Sequence, residues 1–256
     1  MTSGRIGPVF ETIEPKSPDR ADHQANGTGS GGGTLFGKIV KWLFAAMLVV
    51  ACVLIAMVVA YRFVTPASTL MLGRYLLHEK VDRQVVPLGR ISPNLLAAVV
   101  ASEDARFCSH HGVDWGALRE VLGHARDEGI KRGASTITMQ TAKNVFLWPS
   151  HSYIRKVFEI PLALGLDAVW PKRRILEIYL NVAEWGDGIF GIEAAAQNYF
   201  HKPASELDPQ ESALLAAVLP NPHLRSPLHP TRRTTAHAKI VTARLARAAP
   251  RLDCLR

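Results

Sequence analysis

"SPNLLAAVVASEDARF", residues 92–107, is the stretch on which the reading of this chain turns. Ser92 followed by Pro93 reads as an N-cap and a first-turn proline, the start of a helix. The apolar run from Leu95 to Ala101 then gives way to two adjacent carboxylates, Glu103 and Asp104. On a helix, Leu96, Val99 and Glu103 step by three and four and share one face, while Asp104 points about 100° away. A carboxylate that continues an apolar stripe has its charged form disfavoured, so its pKa rises toward the range of a working acid or base. The competing reading is an ordinary solvated helix end, salt-bridged to Arg106.

Helical signals dominate the rest of the chain from residue 65 onward. "KRRILEIYLNVAEW" (172–185) carries apolar residues in a broad helical stripe. "GIEAAAQNYF" (191–200) and "DPQESALLAAVL" (208–219) also read as helices, the second capped by Asp208. Pro220, Pro222, Pro227 and Pro230 mark an irregular loop before a final basic helix at about 233–248. Strand signals are weak and no internal repeat is visible, so the fold class is mainly α.

Upstream of this domain lie two segments of different character. Residues 1–37, with scattered charges and "NGTGSGGG" (26–33), read as a disordered tail and linker. Residues 38–64 read as a transmembrane helix, with no charge between Trp42 and Tyr61. Twenty residues at 1.5 Å rise span roughly 30 Å, the hydrocarbon thickness of a bilayer. Lys38 and Lys41 on one side and Arg62 and Arg74 on the other leave its orientation open. Residues 65–256 then form the functional domain. The formal net charge of +8 favours an anionic partner. Three cysteines without metal-type spacing give no disulfide framework, although Cys108 and Cys254 could pair in an oxidising compartment.

Three segments carry candidate chemistry. In "FCSHHG" (107–112), adjacent His110 and His111 diverge on most backbones and no second cluster completes a zinc site, so they read as structural. "KRGASTITMQTAKNVF" (131–146) offers Gly133, the hydroxyls of Ser135, Thr136 and Thr138, the amide of Gln140 and the cation of Lys143. Small hydroxyl residues beside a glycine at a helix start suit an anionic or sugar group; a plain Ser/Thr cap is the alternative. No GxxxxGK[ST] occurs, which excludes a P-loop. In "YIRKVFEIPLAL" (153–164), Arg155 and Lys156 are four and three residues before Glu159, and Pro161 should bend the helix. These are either ordinary helix pairs or a second carboxylate held between cations. No Ser is followed three residues later by Lys and no KTG triplet occurs, which excludes the serine acyl-enzyme chemistry of transpeptidases.

Taken together, these segments resemble the peptidoglycan glycosyltransferases of glycosyltransferase family 51, in their monofunctional form. Glu103, Asp104, Phe107, His110 and Gly112 match its first motif. Gly133, Ser135, Thr136, Ile137, Thr138, Gln140, Lys143 and Asn144 match the second, with Met139 where the family commonly has another glutamine. Arg155, Lys156 and Glu159 match the third, and Ile175 to Asn181 with Gly186, Gly188, Gly191, Ala195, Ala196, Tyr199 and Phe200 the fourth. The resemblance spans roughly residues 75–245, in order.

The resemblance implies a lysozyme-like helical domain with a small membrane-proximal lobe. It implies that lipid II is joined to a growing glycan chain by an inverting β-1,4 transfer that releases undecaprenyl diphosphate. Glu103 would be the general base and Glu159 the second catalytic carboxylate. Asp104, Ser135, Thr136, Gln140, Lys143, Asn144, Arg155 and Lys156 would bind substrate. No resident metal is implied, although a divalent cation (Mg or Mn) could assist at the diphosphate. The domain would lie in the periplasm, anchored in the bacterial inner membrane with its N-terminus in the cytoplasm. Other cell-wall synthesis proteins are candidate partners; no nucleic-acid motif is present. Two rivals remain at this stage: a lytic transglycosylase, and an inactive membrane-anchored scaffold.

Overall fold

The computed structural model describes residues 1, 31–128, 134–149, 153–247 and 250–256; most of the N-terminal tail, and Gly133 of the second motif, lie outside the described residues. The chain divides into two units, residues 1–51 and 52–256. Residues 31–51 of the first are helical: α1 begins at Gly31, inside the glycine run read as linker, and extends to Tyr61. Its apolar stretch from Leu35 to Tyr61 is long enough to cross a bilayer, and none of its most apolar window is buried. A core helix would bury that surface, which this one does not.

The second unit begins with the last turns of α1 and continues through α2 (Thr69–Leu76), β1 (Asp82–Arg83), α3 (Pro93–Glu103) and α4 (Trp115–Glu128). After these come α5 (Ile137–Phe146), α6 (Tyr153–Val169) and α7 (Lys172–Val182). The chain then forms the hairpin β2 (Glu184–Gly186) and β3 (Ile189–Phe190), followed by α8 (Ile192–Phe200), α9 (Pro209–Val218) and α10 (Arg232–Arg247). The small sheet has the order β1-β3-β2, with β1 parallel to β3 and β2 antiparallel to it. Strands of two and three residues carry too short a pattern to be read from sequence.

Helix α3 is the centre of the core. Leu95, Ala98, Val99, Val100 and Ala101 are all buried, against α9 and α10. Helix α5 packs between α6 and α7 in the same way. Asp208 caps α9 through a reciprocal box with Glu211, as its sequence suggests. Ser92 occupies the N-cap position of α3, but its hydroxyl does not cap: it donates to the Leu207 carbonyl at 2.7 Å, joining α3 to the segment before α9.

Two cross-links set the surroundings of the acid pair at the end of α3. Gly112 has φ +73°, and a Cβ there would stand 2.6 Å from the Ala163 carbonyl of α6, so only glycine lets the loop after α3 approach that helix. Cys108, in the turn Phe107–Ser109, forms a disulfide with Cys254, their Cα atoms 5.6 Å apart. The bond ties the C-terminal turn to the loop that follows Asp104. Leu255 is buried beside it and its carbonyl accepts from Arg173 at 3.0 Å.

Candidate active site

Glu103 is the last residue of α3 and Asp104 the cap that follows it. The change of backbone direction between them separates their side chains completely. Asp104 is 7% exposed; both of its oxygens meet His110 Nε2 at 2.9 Å, and Oδ2 also accepts from the Ile137 main-chain N–H at 3.0 Å. It thus holds the first amide of α5, a stabilising place for an anion at a helix N-terminus. Thr136 finishes the same junction: it accepts from the Met139 N–H at 3.1 Å and donates to the Gly112 carbonyl at 2.6 Å. Both side chains have internal partners throughout. Met139, at the glutamine position of the motif, is 1% exposed and packs in the core.

Glu103 remains partly exposed and carries its oxygens differently. Oε2 accepts from Gln140 Nε2 at 3.0 Å, and Oε1 accepts from the Ser102 hydroxyl at 3.0 Å. Gln140 is itself oriented by the Tyr179 hydroxyl, which donates to its carbonyl at 3.0 Å. Burial raises the pKa of Glu103, and the hydrogen bonds from Gln140 and Ser102 and the charge of Arg225 oppose that rise. Arg106, the expected salt-bridge partner, pairs with Asp114 at 2.7 Å instead. The plain helix-end reading therefore fails for Glu103.

One and two turns into α5 and α6 lies the second cluster. Lys143 is half-buried; burial lowers its pKa, and Arg155 and Lys156 lower it further while Glu159 and Glu103 oppose. Its charge is thus coupled to both carboxylates. Glu159 is 2% exposed, paired to Arg155 through Oε1 and to Lys156 through Oε2 at 2.8 Å. Lys156 also donates to the Ser135 hydroxyl at 2.6 Å, joining the start of α5 to α6. Asn144 is half-buried next to Lys143, and its main-chain carbonyl accepts from Thr69 at 3.3 Å. Helix α6 continues through Pro161. Three cations around one buried carboxylate leave a surplus of positive charge, the electrostatic setting for an oligoanionic ligand.

Residues 70–246 match the family described as transglycosylase. The chain belongs to the transglycosylase family. It is 50% identical over 211 residues to the biosynthetic peptidoglycan transglycosylase of Rhodospirillum centenum, covering 82% of this chain and 91% of that one. Over 210 residues it is 51% identical to the protein of the same name from Brucella suis, covering 82% and 94%. A 171-residue match to that of Nitrobacter hamburgensis reaches 56% identity and covers 66% and 76%.

For a transglycosylase, the useful distinction is between residues that face outward and residues that hold them. Asp104 and Thr136, read from sequence as substrate contacts, are buried in the α3–α5 junction. Ser102, Tyr179, Arg225 and His237, which sequence reasoning did not single out as site residues, surround Glu103. A buried tyrosine hydroxyl needs a partner, and that was the one available signal for Tyr179. In "FCSHHG", Cys108 is in the disulfide, His110 faces Asp104 and His111 is exposed beside Asp167 at 3.4 Å. Among the described residues, Glu184, Asp187 and His223 could gather round a cation, but the Arg74 guanidinium already pairs with both carboxylates, at 2.9 Å to Glu184.

Proposed function

We propose that this chain is a peptidoglycan glycosyltransferase that polymerises lipid II into glycan strands. The observation that carries the reading is the pairing of a partly exposed, hydrogen-bonded Glu103 with the cation cluster of Lys143, Arg155 and Lys156 around Glu159, in a member of the transglycosylase family. A lytic enzyme needs the carboxylate but has no use for the cations. An inactive scaffold has no reason to keep either.

In this reading, Glu103 accepts the proton of the 4-hydroxyl of the acceptor sugar as that oxygen attacks the anomeric carbon of the lipid-linked chain. The bond from the anomeric carbon to the diphosphate breaks, its electron pair leaves with undecaprenyl diphosphate, and the α linkage becomes β-1,4. A diphosphate leaving group needs positive charge where charge develops, not a proton donor, so the second carboxylate has a different role from that in glycosidases. Glu159 anchors Arg155 and Lys156, and Lys143, Arg155 and Lys156 take up the leaving-group charge. Ser135, Gln140 and Asn144 contribute polar contacts; Asp104 and Thr136 position α5 beneath them. The cluster does not fit a divalent cation, because both oxygens of Glu159 are already engaged by cationic side chains.

The lipid half of the substrate has its own support. Val157 and Phe158 on α6, 69% and 49% exposed, precede the buried Glu159 in the chain and face outward, with Trp148 packed edge-on against Phe158. Apolar surface beside a cation cluster suits an amphiphile with an anionic head. The α1 segment supports a membrane anchor, and the Cys108–Cys254 disulfide supports an oxidising compartment, the bacterial periplasm, for the domain. The N-terminus would then be cytoplasmic and the membrane the inner one.

Incubating the purified full-length protein with lipid II tests the reading. Polymeric glycan that a muramidase converts to disaccharide-peptide is the expected product. Fragments released from intact sacculi, with no polymer from lipid II, would favour the lytic alternative.

A further inference from the structure

Glu103 receives hydrogen bonds from two directions, and one of them reaches it from the far side of the domain. Ser102 Oγ lies 3.0 Å from Glu103 Oε1 and 3.4 Å from His237 Nε2 of α10. His237 Nδ1 in turn lies 3.4 Å from Arg225 NH1, in the proline-rich loop after α9. Arg225 is itself fixed, donating to the Ala217 carbonyl at 2.7 Å.

The donor inventory gives this chain a direction. A guanidinium has only N–H donors, so the His237 nitrogen facing it must offer its lone pair. The neutral imidazole then carries its proton on Nε2, which donates to the Ser102 oxygen. That leaves the Ser102 proton for Glu103. The alternative acceptor, the Ala216 carbonyl, is 3.5 Å away and uncharged, and cannot compete with a carboxylate at 3.0 Å. Burial and the charges of Arg225 and Arg244 keep His237 neutral. The charged groups facing it are Arg225 from the loop, Arg244 from its own helix and, through Ser102, Glu103 from α3.

We propose that His237 is a positioning residue for Glu103, aligning the Ser102 hydroxyl so that a one-way chain from Arg225 ends on the carboxylate and holds it charged and oriented. The proposal rests on the reading of Glu103 as the general base. It couples α10 and the preceding loop, neither of which touches the substrate in that reading, to the proton-accepting step.

Ser102→Ala withdraws a hydrogen bond from the charged form of Glu103, and loss of His237 leaves the Ser102 hydroxyl unaligned and that bond weaker, so in both cases the pKa of Glu103 must rise. His237→Leu, which keeps bulk without either nitrogen, and Ser102→Ala should each shift the acid limb of the kcat/KM pH profile upward. The expected shift is about one unit in Ser102→Ala, the size of one hydrogen bond to a charged group, and a smaller upward shift in His237→Leu. His237→Gln, with an acceptor and a donor on one amide, should recover part of it.

A second readout does not depend on turnover. In the full-length protein carrying 13C-carboxyl glutamate, the Glu103 resonance is identified by its loss in Glu103→Gln. Its titration midpoint should rise by about one unit in Ser102→Ala and by less, in the same direction, in His237→Leu. An unchanged midpoint in His237→Leu overturns the positioning role of His237, whatever the activity and whatever Ser102→Ala shows. A shifted midpoint with Glu103→Gln still turning over lipid II would instead overturn the base assignment and leave the chain standing.

Discussion

Gln140 and Glu103 are joined by one hydrogen bond, amide to carboxylate, 3.0 Å long, and the other end of that amide is held by the Tyr179 hydroxyl at 3.0 Å. Because the hydroxyl takes the Gln140 carbonyl, the amide can present only its N–H to Glu103. Tyr179 is fully buried, and burial together with Glu103 and Asp104 raises its pKa well above the usual value, so it stays a neutral donor at any physiological pH.

Tyr179→Phe should therefore disturb orientation before it disturbs the fold. It leaves the Gln140 carbonyl without its donor, a cost of about 1–3 kcal/mol. The amide is then free to rotate away from Glu103, which loses a fixed donor. A fall in kcat of about tenfold or more with KM little changed is expected, roughly the effect of about 1.4 kcal/mol on the transition state. Wild-type kcat in Tyr179→Phe would show that the amide needs no such clamp.

Stability should rise when Glu103 is neutralised. Its folded-state pKa is raised by burial, so the folded protein binds the proton more tightly than the unfolded chain. Stability then falls as pH rises from the ordinary carboxylate range through the raised pKa, and the deficit persists above it. Glu103→Gln should melt higher than wild type near pH 8, by about 2–4 °C if the deficit is about 1 kcal/mol. The difference should vanish in acid, below both pKa values. Melting curves at the two pH extremes check it; a variant less stable than wild type at pH 8 contradicts the assigned sign.

Lys143 and Arg155 should separate by their effect on folding. Burial and two neighbouring cations already disfavour the charge of Lys143, so Lys143→Gln should cut lipid II polymerisation without lowering the melting temperature. Arg155 is 9% exposed and bonded to the 2% exposed Glu159. Arg155→Gln leaves that carboxylate with Lys156 alone, and loss of one partner from a buried pair costs about 3–5 kcal/mol when nothing replaces it. Here the remaining lysine should hold the loss below that. Equal melting temperatures for the two variants would place Arg155 outside the fold's ion-pair structure.

The disulfide makes a thiol count. The full-length chain should show one reactive thiol after unfolding without reductant, from Cys52, and three after reduction. Cys254→Ser should destabilise the domain by about 2–4 kcal/mol. Three thiols in protein purified from an oxidising compartment would contradict the bond.

Much of this was legible in the chain. The Ser92–Pro93 start, the Asp208 cap and the Arg155/Lys156–Glu159 spacing are local signals, and the structure contains the corresponding helices and pairs. Glu103 was separable from Asp104 because helical spacing put it on the apolar face. What stayed hidden is long-range. That Asp104 holds the Ile137 amide, that Ser102 faces His237 across 135 residues, and that Cys108 meets Cys254 are consequences of packing, which no window of sequence encodes. The small sheet escaped because its strands are only two and three residues long.

The most direct test of the account is the polymerisation rate of Glu103→Gln on saturating lipid II, alongside wild type, with the melting temperature of each measured in the same buffer. The substitution keeps the shape and one acceptor oxygen for the two donors, Gln140 and Ser102, but removes the carboxylate that takes the proton. A rate lower by about 10²–10⁴ in a protein at least as stable as wild type is the predicted result. Polymerisation within a few-fold of wild type by that folded variant would contradict the claim that Glu103 takes the proton.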